Sequence, residues 1–240
     1  MYRWLLMIAL ASAVSCGGGE VIGGMSADAG IGVGPDATAS SQDASMGMQA
    51  DAGQLGAALG TFEMTYYWLA FEDEYPGGAQ ETIYDQSCQV LANITVDFGN
   101  ALRLEGSGKL VDGRVLNYEG SCACANSPCF FEVAATAPWG QGSMGQALEP
   151  FRSIAVDSSD IPVGSGIYIQ ELDGLTMPGD AAIGMYVHDG CVFADDIGGA
   201  ITGQHIDFFA GLREHYLTII GLVGGDFVEL RAGGNRCPGR

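Results

Sequence analysis

From residue 60 to residue 240 the apolar positions come in short runs separated by Gly, Pro and Asp. The runs are Phe62–Ala70, Val90–Phe98, Ala101–Leu104, Arg114–Tyr118, Phe130–Ala134, Arg152–Val156, Gly166–Ile169, Ala182–Val187, Ile206–Phe209 and Phe227–Leu230. They are rich in Val, Ile, Tyr and Phe and bounded by turn-forming residues, which is the pattern of β-strands. Gly211–Val223 breaks it. There Leu212, Tyr216 and the pair Ile219 and Ile220 recur at helical spacing, which predicts one helix ended by Gly221 and Gly224. The expectation is an all-β domain, and a length of about 180 residues suits a single core.

Residues Gly17–Leu59 have the opposite character, with no aromatic, no positive charge and much Gly, Ala, Ser and Met. Such a segment buries too little apolar surface to offset the entropy of ordering its backbone, so it reads as a disordered tether. Asp28, Asp36, Asp43 and Asp51, each followed by Ala, recur along it and keep it extended by repulsion. Its reach as a random coil is roughly 35 Å. Ahead of it, Arg3 precedes an apolar run from Trp4 to Leu10 and a small-residue run from Ala11 to Ser15. That is the layout of a signal peptide, and the apolar run is well short of the ~20 residues that span a bilayer. Ala13-Val14-Ser15-Cys16 resembles the lipobox of bacterial lipoproteins, which implies cleavage before Cys16 and a lipid on its thiol. Ordinary cleavage nearby, leaving a free thiol, is the alternative. The expected organisation is a lipoprotein signal peptide over 1–15, lipidated Cys16 and tether over 16–59, and one folded domain over 60–240. An exported, lipid-anchored envelope protein follows. Gly17, where inner-membrane retention often has Asp, favours the outer membrane, facing the periplasm.

Seven cysteines are an odd number, which an exported protein tends to avoid. Assigning Cys16 to lipid leaves Cys88, Cys122, Cys124, Cys129, Cys191 and Cys237 for three disulfides. The pairing stays open, although Cys122 and Cys124 are too close along the chain to be mates. A zinc site is the competing use of Cys122-x-Cys124-x4-Cys129, but the spacing lacks the paired Cys-x2-Cys of common zinc modules. No metal and no cofactor is expected. The formal charge is −20, and Lys109 is the single lysine. Phosphate backbones would repel such a chain, which excludes nucleic acid as a partner.

The stretch Ala194-Asp195-Asp196-Ile197-Gly198-Gly199-Ala200-Ile201-Thr202-Gly203-Gln204-His205-Ile206-Asp207-Phe208-Phe209 carries the candidate chemistry. It sets Asp196 ahead of a double-glycine turn and Asp207 within an apolar strand. Because side chains alternate along a strand, Asp207 shares a face with Phe209, while Ile206 and Phe208 point the other way. A carboxylate beside aromatic rings loses hydration, which raises its pKa and lets it keep a proton near neutrality, as a general acid must. The same placement also fits an Asp that caps a turn or faces water.

This stretch resembles the signature of the three-aspartate (3D) domain, which is shared with the catalytic domain of the membrane-bound lytic transglycosylase A family. Upstream, Arg152-Ser153-Ile154-Ala155-Val156-Asp157, then Ile161-Pro162-Val163-Gly164 and Ile167-Tyr168-Ile169, follow that family's order. The resemblance implies a six-stranded double-psi β-barrel, with Phe62–Ala70 as its first strand and Phe227–Leu230 as its last. A disulfide-stapled insertion would occupy about residues 72–149. The signature aspartates fall on Asp157, Asp196 and Asp207. By this resemblance Asp207 is the catalytic acid and base, with Asp196 beside it. Asp157, Gly198, Gly199, Gly203 and His205 are the candidate glycan contacts. The implied reaction cleaves the β-1,4 bond between N-acetylmuramic acid and N-acetylglucosamine and leaves a 1,6-anhydro sugar.

Two departures matter. Thr202 stands where the family usually has lysine, and the separate domain that walls the transglycosylase groove is not evident in the sequence. The four cysteines within residues 72–149 mark an insertion that would serve as groove wall or lid. Trp68 and Trp139 are candidates for sugar stacking or for core packing. His188-Asp189-x-Cys191 offers a thiol nucleophile only if Cys191 is reduced, and the scattered Asp157, Asp160, Asp195 and Asp196 lack the spacing of a calcium loop. The expected function is peptidoglycan glycan-strand cleavage by a monomer whose partners are the glycan and, through lipid, the membrane. The rival is an expansin-like envelope lipoprotein that binds glycan without cutting it.

Overall fold

The computed structural model describes residues 53–180 and 183–240, so the signal segment, Cys16 and the tether up to residue 52 lie outside the described residues. The strands are β1 (Ala58–Trp68), β2 (Ala70–Phe71), β3 (Gln80–Tyr84), β4 (Val90–Thr95), β5 (Ser107–Lys109) and β6 (Val115–Gly120). They continue with β7 (Cys129–Glu132), β8 (Ser153–Val156), β9 (Gly166–Ile169), β10 (Cys191–Asp196), β11 (His205–Gly211) and β12 (Phe227–Ala232). Two helices are present among the described residues, α1 (Val96–Glu105) and α2 (Arg213–Val223).

Six strands close into a barrel in the order β1-β11-β8-β10-β9-β12. Pairs β1–β11 and β8–β10 are parallel and the other four are antiparallel, which gives the double-psi arrangement. Every second residue points inward. Phe62 and Met64, Ile154 and Val156, Ile167 and Ile169, Val192 and Ala194, Ile206 and Phe208, and Val228 and Leu230 fill the interior. Each fully buried Ile, Leu or Phe stabilises the fold by about 1.5–3 kcal/mol, so this alternation dictates which face of each strand is left for chemistry. Helix α2 closes one side by burying His215 and Ile219; it runs through Gly221, expected to help end it, and stops at Gly224 in the left-handed region (φ 76°).

The segment between β1 and β8 forms the expected insertion. It holds a four-stranded sheet in the order β2-β5-β6-β7, the β3–β4 hairpin and α1, around a second core that includes Ile83, Ile94, Phe98, Leu102, Leu116 and Phe130. The strand expected over Ala101–Leu104, and the end of the one expected over Val90–Phe98, are in fact α1. Thr95 caps it by accepting the Phe98 N–H (3.1 Å), Phe98 and Leu102 lie one turn apart on its buried face, and Gly106 (φ 76°) ends it. Capping and i,i+4 burial outweigh the β preference of the flanking residues. Arg103 pairs with both carboxylate oxygens of Glu81 (2.8 and 2.7 Å), tying α1 to β3. The strand expected over Ala182–Val187 also does not form; from Ile183 onward that segment is turn, with a single bridge from Val187 to Thr176. Residues 53–59, expected as tether, pack on the barrel. Gly56 N–H donates to Ala232 O (2.8 Å) and Asn235 N–H to Gln54 O (2.9 Å).

All six cysteines after Cys16 are paired, as Cys88–Cys124, Cys122–Cys129 and Cys191–Cys237. The sulfurs of Cys122, Cys124 and Cys129 lie within 4.8 Å of one another because two disulfides meet there. Cys191–Cys237 joins β10 to the segment after β12 across 46 residues of sequence. Replacing both cysteines by Ala is expected to cost about 2–4 kcal/mol by releasing the unfolded chain. A urea midpoint equal to that of the parent would contradict this.

Candidate active site

Asp207 of β11 is aligned with Thr65 of β1 on one side and Ala155 of β8 on the other, and Ala155 is aligned with Asp196 of β10. Residues directly opposite in neighbouring strands share a face, so Thr65, Asp207, Ala155 and Asp196 form one row across four strands. Ile206 and Phe208 fill the barrel interior, so this row lies on the outer face, as the alternation around Asp207 predicts. Phe209 packs with Tyr67, Leu148, Ala155 and Ile201 in a separate apolar cluster on that outer side. Asp196 owes its place to a bulge. Ala194 opposes Ile154 and Asp196 opposes Ala155, with Asp195 left over between them. Without that extra residue Asp195 would occupy the row. The two carboxylates are then two strand spacings apart at the backbone, about 10 Å, with the short Ala155 side chain as the floor between them.

Burial sets the protonation of this row. Asp207 is half-buried, and desolvation raises its carboxyl to about 6 against the Thr65 hydrogen bond and the His205 charge, which both favour the carboxylate. Asp196 is also raised to about 6, first by burial and then by the Asp195 and Asp207 charges, against hydrogen bonds from the Ile197 and Ser143 N–H groups. Repulsion between the two carboxylates adds to the desolvation that keeps protons on this row. Asp195 is buried, accepts from Ser153 Oγ (2.6 Å) and pairs with Arg240 (3.3 Å); desolvation raises it too. The phenol of Tyr67 is held far above its usual range by burial and by the charges of Asp196, Asp207 and Asp195. Its hydroxyl has no hydrogen-bond partner among the described residues.

The insertion borders the site. Its last loop sends Gln146 Nε2 to the Asp195 carbonyl and Ser143 N–H to the same oxygen (3.2 Å), while Gly142 lies so close to that oxygen that no Cβ would fit. The loop therefore fixes the end of β10 where Asp196 sits. Trp139 packs between the outer-face cluster and a further insertion cluster, and Trp68 stacks on Tyr216 (5.2 Å), so both serve packing.

The other expected contacts divide. Asp157 ties two loops together, with one oxygen accepting from the Ser159 N–H and hydroxyl and the other from Gly203 N–H (2.8 Å), which holds it below the usual carboxylate range. Gly203 needs its glycine for a left-handed φ of 64°, Gly198 is crowded by Ile201, and Gly199 faces open space. His205 directs its Nε2 to Thr65 Oγ1 (2.8 Å). Cys191 has no free thiol, and His188 is buried, with Nε2 against Phe151 O (2.7 Å) and Nδ1 accepting Gly190 N–H, its pKa lowered to about 4 by burial. A cavity of about 310 Å³ lies elsewhere, lined by Leu59, Ile161, Ile167, Gly233 and Cys237 among others, and includes none of the three signature aspartates.

Sequence reading missed Thr65, Tyr67, Ala155 and Glu105. Glu105 ends α1, is buried, and accepts the Trp68 N–H (3.1 Å). Burial raises its pKa to about 7, and the Asp207 charge adds to this. Because the folded protein holds this proton more tightly than the unfolded chain, stability is full below about pH 4.5 and is lost as pH rises to about 7. Glu105→Gln, which keeps an acceptor for Trp68, should remove a loss on the order of 2–3 kcal/mol at pH 8. Equal gains at pH 4 and pH 8 would contradict the assignment.

The site is thus a six-stranded double-psi barrel with two proton-holding carboxylates on its outer face, and known proteins resemble it at the level of fold and domain. Residues 152–228 match the family model of the 3D domain. The chain's fold is that of MltA: the structure of E. coli MltA with bound chitohexaose superposes with a TM-score of 0.50 at 16% identity, covering 72% of this chain and 71% of that one. A membrane-bound lytic murein transglycosylase from Agrobacterium tumefaciens matches at 14% identity over 75% of this chain and 74% of its own, with a TM-score of 0.43. The lytic transglycosylase LtgG of Burkholderia pseudomallei matches at 19% over 71% and 70%, with a TM-score of 0.39. No curated protein matches the chain.

Proposed function

We propose that this protein cleaves peptidoglycan glycan strands by lytic transglycosylation, with Asp207 as acid and then base. The observation that carries the reading is the outer-face row in which burial keeps the Asp207 proton to about pH 6 beside a second carboxylate. Asp207 gives its proton to the glycosidic oxygen as the C1–O4 bond breaks. The resulting carboxylate takes the proton of the muramic acid 6-hydroxyl as O6 bonds to C1. Water is not consumed, and the acid is regenerated, so the two-carboxylate requirement of ordinary glycosidases relaxes to one. Asp196, when ionised, stabilises positive charge on the sugar ring. Gly199, with open space around it, lets glycan approach the backbone. The six-sugar chitohexaose bound by E. coli MltA supports an extended glycan as the ligand. Cleavage before Cys16, lipid on its thiol and the tether would then hold the barrel within reach of the wall, from the outer membrane.

Thr202, exposed where lysine is usual in the resembling family, and the partial capping of Asp196 by its own neighbour Ile197 (2.9 Å) favour a second reading, a module that grips glycan without cutting it. Incubating the purified protein with sacculi and weighing the released products separates the two. Anhydro-muropeptides support the transglycosylase, new reducing ends mean hydrolysis, and binding without release supports the module.

A further inference from the structure

Thr65 Oγ1 stands 2.8 Å from Asp207 Oδ1 and 2.8 Å from His205 Nε2, and Ile206 O is a more distant acceptor at 3.4 Å. A hydroxyl has one proton to donate. If that proton goes to Oδ1, His205 must carry a proton on Nε2 and donate it to Oγ1. If instead His205 Nε2 is bare, it accepts from Thr65, and the only hydrogen bond left between Thr65 and Asp207 is one in which the carboxyl donates. The state of one histidine nitrogen therefore decides which oxygen of Asp207 carries the acid proton.

We infer that His205 is a positioning residue that, through Thr65, keeps Asp207 Oδ1 an acceptor and so places the transferable proton on Oδ2. In this role His205 touches Thr65 and not the glycan. The inference rests on the reading of Asp207 as the general acid, but its geometry is independent of whether glycan is cut. A carboxylic acid whose proton sat on Oδ1 would spend it on Thr65 and have none to give to a glycosidic oxygen. Oδ2 accepts no hydrogen bond from the described residues. The charged groups that bear on this chain are Glu63, aligned with His205 on β1, and Asp196 and Glu105, which interact with Asp207; the Tyr67 phenol faces the same carboxylates.

The test follows the Asp207 carboxyl by carbon NMR titration in the full-length protein, alongside cleavage of sacculi, for Thr65→Val, His205→Ala and His205→Gln. Thr65→Val, which keeps the shape of the side chain, removes a donor to the carboxylate and is expected to move the Asp207 midpoint up by about one pH unit. His205→Ala frees Thr65 to turn to Ile206 O and should move it in the same direction. His205→Gln supplies a neutral N–H donor and should bring the midpoint back towards that of the parent. In cleavage, His205→Ala is expected to lower kcat about tenfold with little change in KM, with rescue by Gln. An Asp207 midpoint unmoved in His205→Ala overturns the inference, as does a rise in KM alone, which would make His205 a glycan contact. Because the titration needs no substrate, a protein that proves not to cut glycan removes the proposed function and leaves this result readable.

Discussion

Asp207→Asn is expected to lower glycan cleavage by roughly a thousandfold, within the range typical of lost general acid–base catalysis, while raising stability above pH 6. The two effects share one cause. Burial costs the Asp207 carboxylate hydration, which is why the group keeps its proton to about pH 6. Asn cannot deliver a proton to a leaving oxygen, but it never ionises and can still accept the Thr65 hydroxyl. The sign follows from linkage. In the folded protein the Asp207 proton is held above its unfolded value of 3.8, so stability is complete below that value and lost as pH rises through about 6. The variant should therefore melt at a higher temperature than the parent at pH 8 and at the same temperature near pH 3.5. Activity of the parent should fall as pH rises through about 6, because the acid form disappears. An Asp207→Asn protein that releases anhydro-muropeptides at the parental rate would sink the site assignment, whatever its melting temperature. One that loses activity and also loses stability at pH 8 would show a structural role for the carboxylate.

Phe208→Ala, one residue further on, is expected to do the reverse, destabilising the barrel by about 3–5 kcal/mol through the loss of buried contact and the cavity left behind. Phe208 is fully buried in the barrel interior, is aligned with Ile154 of β8, and meets the Tyr66 ring edge-on at 6.1 Å. In a protein of this size that corresponds to a fall of about 10 °C or more in melting temperature. Interior neighbours come from all six barrel strands, so no single element can shift to fill the space. Phe208→Leu, which keeps most of the volume, should lose much less. Thermal melts of the two variants side by side decide the matter; an Ala variant within a degree or two of the parent would mean that Phe208 does not pack where the alternation puts it. Phe209→Ala offers the contrast, since that ring lies against Tyr67 (4.9 Å) on the outer face and supports the site as well as the fold.

The adjacency of Asp207 and Phe208 shows how much the chain alone discloses. Period-two alternation sorts the side chains of β11 between interior and outer face, because a strand has only two sides. The barrel strands carried by Arg152–Val156, Gly166–Ile169, Ile206–Phe209 and Phe227–Leu230 are legible for that reason, as is the helix after Gly211. The insertion is less so. Ala101–Leu104 is short and apolar in a way that suits either helix or strand, and Thr95 and Gly106 settle it only as caps. Six cysteines follow Cys16, and their mates are chosen by which loops the fold brings within bonding distance.

What the sequence determines by itself is local: which residues of a strand share a face, and that Asp207 sits on the side of its strand opposite Ile206 and Phe208. Each depends on neighbours a few positions away. What only the tertiary structure decides is the row Thr65, Asp207, Ala155, Asp196, because its members are up to 142 residues apart and meet through strand order and register. The bulge at Asp195 is the clearest case. One extra residue exchanges which of two adjacent aspartates is buried against Ser153 and Arg240 and which joins the site. The sequence shows two aspartates side by side; pairing with β8 gives them different roles, since a strand's partner, not its own residues, sets where a bulge forms.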